Sequence, residues 1–155
     1  MQYLRKAVMF AIFCVAIYYL AQMKPRSNFD PEIEAFIKKY FATWSKHDLG
    51  AYTNTFKSNA RIYVEEPGSS RTEFSLGSFL ASQETAFAKY PGAYEEPGSI
   101  TVYKDGDVVS CEATWVLKTG SQTVTGTDTF KLKRQDDRWL ITELIVHNDT
   151  KINAP

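Results

Sequence analysis

At 155 residues, 44% hydrophobic and 14% aromatic, the chain carries enough apolar material for one folded core and too much for a disordered segment. Its formal net charge is zero, but Arg5, Lys6, Lys24 and Arg26 leave 14 of the 18 basic residues beyond position 26 against all 18 acidic ones. That mildly acidic remainder offers no footprint for a phosphate backbone, which excludes nucleic acid as an expected partner.

The two cysteines, Cys14 and Cys111, lie in different parts of the chain and supply neither a disulfide framework nor a metal-ligand spacing. They read as small buried hydrophobes, and no metal or cofactor is expected.

Ala7 to Met23 is a run of 17 residues without a charge, preceded by Arg5 and Lys6 and followed by Lys24, Pro25 and Arg26. As a helix it would reach about 25 Å, short of a roughly 30 Å hydrocarbon core unless the flanking cations snorkel. A cleaved signal peptide is the rival reading. The only small residue suited to cleavage is Ala21, and Tyr19 stands two positions before it where a small residue is wanted. Tyr18 and Tyr19 suit a membrane interface. The expectation is therefore an uncleaved single-pass membrane anchor over residues 7–23, with residues 1–26 as anchor and linker. One domain over 27–155 is expected outside the cytoplasm.

Asp30-Pro31-Glu32 supplies an N-cap, a first-turn proline and a first-turn acid. The helix it opens turns Ile33, Phe36, Ile37, Tyr40, Phe41 and Trp44 to the core and Glu32, Lys38, Lys39 and Ser45 to water. Asp48 caps a second, short helix with Leu49, Tyr52 and Phe56 on its inner face. A strand over Ala60 to Glu66 places Ile62, Val64 and Glu66 on one side. Pro67-Gly68-Ser69-Ser70 turns the chain into a third helix, Ser75 to Tyr90, stopped by Pro91-Gly92.

The rest reads as a strand meander. Ser99 to Lys104 and Asp107 to Leu117 are joined by the tight-turn pair Asp105-Gly106. Gln122 to Arg134 and Trp139 to His147 follow. The order is helix, helix, strand, helix, then four strands, without internal repeats.

Alternation is most regular in Gln122 to Arg134. One face carries Val124, Gly126, Asp128, Phe130 and Leu132, and the other a row of threonines and lysines. Asp128 is the exception on the apolar face, where a carboxyl is costly unless paired, hydrogen-bonded or protonated.

This order and several motifs resemble the nuclear-transport-factor-two-like superfamily, which includes SnoaL-like proteins and ketosteroid isomerase. The resemblance covers about residues 30 to 148. It rests on Lys39-Tyr40-Phe41 followed by Asp48-Leu49, Phe56 ahead of Asn59-Ala60-Arg61-Ile62, Gly77 entering the third helix, Asp128-Thr129-Phe130-Lys131-Leu132, and Arg138-Trp139-Leu140-Ile141. It implies an α+β cone, a curved and mostly antiparallel sheet wrapped on three helices around an apolar pocket.

In ketosteroid isomerase, a worked case of pKa tuning in general treatments, a tyrosine and a protonated aspartate form an oxyanion hole and a second carboxylate shuttles the proton. By that resemblance Tyr40 matches the tyrosine and Asp128 the protonated aspartate. The base position falls on Val64 without gaps, and a two-residue shift brings Glu66-Pro67 onto the acid-proline pair. Glu66 also reads as a solvated turn residue, and Asp128 as a structural buried carboxyl.

The candidate ligand-binding residues are Trp44, Phe56, Phe87, Trp115, Phe130 and His147. His147 shares a strand face with Trp139 and Ile141 by simple alternation, and His47 is expected at the surface. The aromatic residues also suit a plain core.

The reading that follows is a membrane-anchored cone domain that binds a small apolar molecule or docks onto a membrane-protein partner. A cofactor-free isomerase using Tyr40, Asp128 and Glu66, or an accessory subunit with a filled cone, are the alternatives. A homodimer through the outer sheet face is a further expectation.

Overall fold

The computed structural model describes residues 29–120 and 122–149. The apolar run 7–23, with the anchor expected there, lies outside the described residues. Among those described, no helix is long and apolar enough to cross a membrane.

The first helix, α1 (Pro31–Ser45), starts where the sequence signals it. The Asp30 carboxylate accepts from the backbone N–H groups of Glu32 and Ile33, at 3.0 and 3.2 Å, which the helix itself cannot satisfy. Its buried stripe is Ile33, Ile37, Tyr40, Phe41 and Trp44. Ser45, expected in water, instead donates its hydroxyl to the Glu95 carbonyl and accepts from the Glu95 N–H, both at 2.8 Å.

His47, expected at the surface, takes a positive φ of 55° just beyond the helix. Its ring stacks on Phe87 with centroids 4.6 Å apart, and its Nε2–H meets the Ala93 carbonyl at 2.9 Å. Helix α2 (Leu49–Thr53) is capped by Asp48. It ends before Phe56, which opens strand β1 (Phe56–Glu65) rather than completing the helix face.

A four-residue strand, β2 (Thr72–Ser75), pairs antiparallel with β1 and was not expected from a stretch with one large apolar residue, Phe74. Ser75 then caps α3 (Leu76–Lys89), its hydroxyl accepting from the Ser78 N–H. The meander is β3 (Tyr94–Asp105), β4 (Val108–Thr119), β5 (Gln122–Gln135) and β6 (Arg138–Asn148). Gly106, at φ 58°, makes the β3–β4 turn that Asp105-Gly106 signals.

The strand order is β2-β1-β6-β5-β4-β3, and only β1 and β6 run parallel. The result is an α+β fold, a curved mixed sheet with three helices among the described residues. The core residues with zero exposure include Ile33, Ile37, Phe41, Ile62, Phe130, Ile141 and Leu144.

Two departures from regular pairing decide which side chains reach the inside of the cone. In β6, Ile141 pairs with Leu132 and Glu143 with Lys131, so Thr142 is an extra residue, a bulge. Beyond it the alternation is reversed: Leu144 and Asn148 are buried, whereas His147 is exposed. In β3 the register shifts between Pro97 and Ile100. Pro97 is tolerated because β3 is an edge strand.

Candidate functional site

Alternation in β5 sends Asp128 inward, opposite Ala113 of β4 and Val146 of β6. It is 3% exposed. The neighbouring inward position is Gly126, paired with Trp115. A Cβ at Gly126 would collide with the Trp115 ring and with the His147 carbonyl. The absent side chain is what lets the indole lie flat enough for its Nε1–H to donate to Asp128 Oδ1 at 2.8 Å. From the helix side Tyr52 Oη donates to Tyr40 Oη at 2.8 Å, and Tyr40 Oη approaches Asp128 Oδ2 at 3.4 Å. The carboxyl thus sits at the end of a chain of two phenols.

Among the described residues no cation takes part in that chain. Burial therefore dominates and pushes the Asp128 carboxyl up to about 7, against the smaller downward pull of the Trp115 and Tyr40 hydrogen bonds. Both phenols are held well above their ordinary range, chiefly by burial.

The network forms the floor of a cavity of about 280 Å³, at the small end of the range for ligand pockets. Its walls are mainly apolar and aromatic, with Trp44, Phe74, Phe79 and Leu117 among them. Glu95, from the first half of β3, also lines it. Although half-buried as a residue, Glu95 has its carboxyl crowded by the walls. Burial and then the charge of Asp128 raise it well above the usual carboxylate range. Its carboxyl has no hydrogen-bond partner among the described residues, whereas its backbone is pinned on both sides by Ser45.

The structure brings Tyr40, Asp128, Trp44 and Trp115 together around this space. Glu66 reaches the rim, where Asn148 Nδ2 donates to its Oε1 at 2.6 Å.

Four candidates fall elsewhere. Phe130 packs edge-on beneath Tyr40 with centroids 5.1 Å apart, Phe56 lies 5.3 Å from Tyr52, and Phe87 lies 5.2 Å from Trp44. They support the rings that face the cavity without facing it. His147 points to the outer face, where its Nδ1 lies 3.2 Å from Glu65 Oε2, because the Thr142 bulge inverts the alternation that put it beside Ile141.

Glu95 is the residue that sequence reading missed. It sits in Tyr94 to Gly98, a polar stretch interrupted by Pro97 that carries no strand signal. Among the described residues no cluster of potential ligands could hold a metal ion. The Cys111 thiol, fully buried, is pushed up to about 12 and is inert as a nucleophile.

No family model matches the sequence, and no curated protein is found similar to it. Solved structures do resemble it. An NTF2-like protein of unknown function from Pseudomonas putida superposes with a TM-score of 0.64 at 14% identity, over 79% of this chain and 87% of that one. An NTF-2 like protein of unknown function from Shewanella oneidensis gives 0.56 at 20% identity, over 75% and 96%. A protein of unknown function with a cystatin-like fold from Nostoc punctiforme gives 0.63 at 10% identity, over 79% and 92%. At these identities the likeness concerns the backbone, and it establishes that this chain has the nuclear-transport-factor-two-like fold.

Proposed function

We propose that the domain binds a small, largely apolar molecule in the cavity floored by Asp128, with the polar end of the ligand turned towards Asp128, Tyr40 and Glu95. The observation that carries this reading is the cavity itself. A cone used only as a structural filler would close over its core, whereas here about 280 Å³ remains beside a buried carboxyl and an unpartnered one.

The full chain should bind small aromatic probes saturably, followed by nuclear magnetic resonance or tryptophan fluorescence. Leu117→Trp, which fills the cavity from its wall, should abolish binding while the fold persists. Equal binding by that variant would place the probes elsewhere and refute the reading.

Glu95 favours a second reading, cofactor-free proton transfer. A carbonyl substrate would accept hydrogen bonds from Tyr40 and the neutral Asp128, and an ionised Glu95, whose carboxyl has no hydrogen-bond partner among the described residues, would take the α-proton and return it to another carbon. In that reading Glu95 replaces Glu66 as the base, since Glu66 is tied to Asn148. Exchange of α-protons for deuterium in small ketones, abolished by Glu95→Gln, would support it. No exchange above the solvent rate would leave binding alone.

Membrane attachment through residues 7–23, with the domain outside the cytoplasm, is part of the proposal and rests on the uncharged run. Mass spectrometry of the native protein should find the intact N-terminus in the membrane fraction. A mature chain starting near Gln22 would remove the anchor.

A further inference from the structure

Most side-chain donors around the cavity are engaged within the protein. Trp44 Nε1 donates to Gln83 Oε1 at 2.9 Å, and Trp115 Nε1 to Asp128. Tyr52 and Tyr40 donate along their chain, and Ser82 Oγ donates to the Phe79 carbonyl at 2.6 Å. The amides of Gln83 and Asn148 each spend one of their two N–H groups on a partner, Ser82 and Glu66. What remains open is mainly acceptor capacity, chiefly both oxygens of Glu95 and the remaining lone pairs of Asp128. Among the described residues no Lys, Arg or His lines the space, while three carboxyl residues and six aromatic ones do.

We infer that the ligand is a small organic cation, an aromatic or aliphatic amine whose ammonium group is received by Glu95 and Asp128 and whose body lies against Tyr40, Trp44, Tyr52, Phe74, Phe79 and Trp115. This inference rests on the reading of the cavity as a ligand site.

The chemistry is complementary in two respects. An ammonium brings only donors, which is what an acceptor-lined site lacks, and a desolvated cation gains from aromatic rings where an anion loses. It also relieves the cost that the protein otherwise bears by keeping two carboxyls in one apolar space, because the bound charge favours their ionised forms.

Affinity should therefore depend on pH. The groups facing Glu95 across the cavity are Asp128 from β5, Tyr40 from α1, Tyr52 from α2 and Glu66 beyond β1. Helix α3 contributes only the uncharged Phe79, Ser82 and Gln83, and β4 and β6 add Trp115, Leu117, Val146 and Asn148. Below the raised range of Asp128 and Glu95 both carboxyls are neutral and offer no counter-charge. As pH rises through that range the cation gains one, so binding tightens and releases protons.

The test compares three probes of one shape, benzylamine, benzyl alcohol and benzoate, titrated into the full chain with Leu117→Trp as the blank. Benzylamine should bind roughly ten-fold or more tighter than benzyl alcohol at about pH 8, with benzoate weakest, and its advantage should shrink at about pH 5. Glu95→Gln should remove the preference for the amine, bringing benzylamine and benzyl alcohol to within about two-fold of each other, and an amine preference that survives the variant would overturn the assignment of Glu95. Benzyl alcohol binding as well as benzylamine to the unaltered chain would overturn the inference whatever the variant does, and leave the ligand pocket standing. Failure of all three probes would overturn the pocket as well.

Discussion

Replacing Asp128 by Asn tests the centre of the site, because the amide keeps the shape and the Trp115 hydrogen bond and removes the ionisable group. Its oxygen can accept from Trp115 Nε1–H as the native carboxyl does, and its NH₂ faces Tyr40 Oη with the direction of that long 3.4 Å contact reversed, the phenol becoming the acceptor. The native group is raised from an ordinary 3.8 to about 7. An acid whose folded value lies above its unfolded one holds its proton more tightly in the folded state. Its contribution is thus fully present below about 4 and is lost as pH climbs to about 7. The loss amounts to about 4 kcal/mol over that interval, at roughly 1.4 kcal/mol per pH unit.

Denaturant midpoints measured from about pH 5 to 8 should show the parent weakening by about 2 to 3 kcal/mol while Asp128→Asn stays much flatter. The two curves should separate as pH rises, with Asn the more stable near neutrality. Glu95 leaves a residual slope in the variant, reduced because the neighbouring charge is gone. An Asn variant several kcal/mol less stable at about pH 7 would refute this reasoning, since it would mean that an ionised Asp128 serves a buried cation.

Gly126→Ala should cost about 3 kcal/mol or more in thermal or chemical denaturation, because the new methyl meets both the Trp115 ring and the His147 carbonyl; a loss under about 0.5 kcal/mol would contradict that packing. Asp30→Ala should lower stability by about 1 to 2 kcal/mol through loss of the α1 cap, and Asp30→Asn, which can still cap, should recover most of it. The Lys104 ion pair with Asp30 contributes less, the Lys104 side chain being 42% exposed. Sedimentation of the full chain should reveal self-association through the outer face of the sheet, where Thr125, Thr127 and Thr129 of β5 form a row with few charges; strictly monomeric behaviour at high micromolar concentration would exclude it.

The sequence by itself determined what local chemistry decides. Asp30 and Asp48 cap the helices their positions announce, Asp105-Gly106 makes its turn, and two-residue alternation puts Asp128 among Val124, Phe130 and Leu132 on the buried face. A single strand carries that information because a side chain's face follows from its parity within an unbroken ladder.

Where the ladder breaks, parity fails, and the break belongs to the pairing of strands. The extra Thr142 is accommodated because Glu143 turns out to meet Arg61 of β1 and Lys131 of β5, at 2.7 Å each, while Ile141 fills the core. Those partners lie 82 and 12 positions away in sequence, so nothing local to β6 foretells that His147 faces outward. Glu95 is similar. Its stretch has no strand pattern and contains a proline, yet the edge of the sheet accepts it and the Ser45 hydroxyl at the end of α1 fixes its backbone. Only tertiary contacts could place a second carboxyl in the cavity, because what holds it there comes from a helix 50 residues earlier.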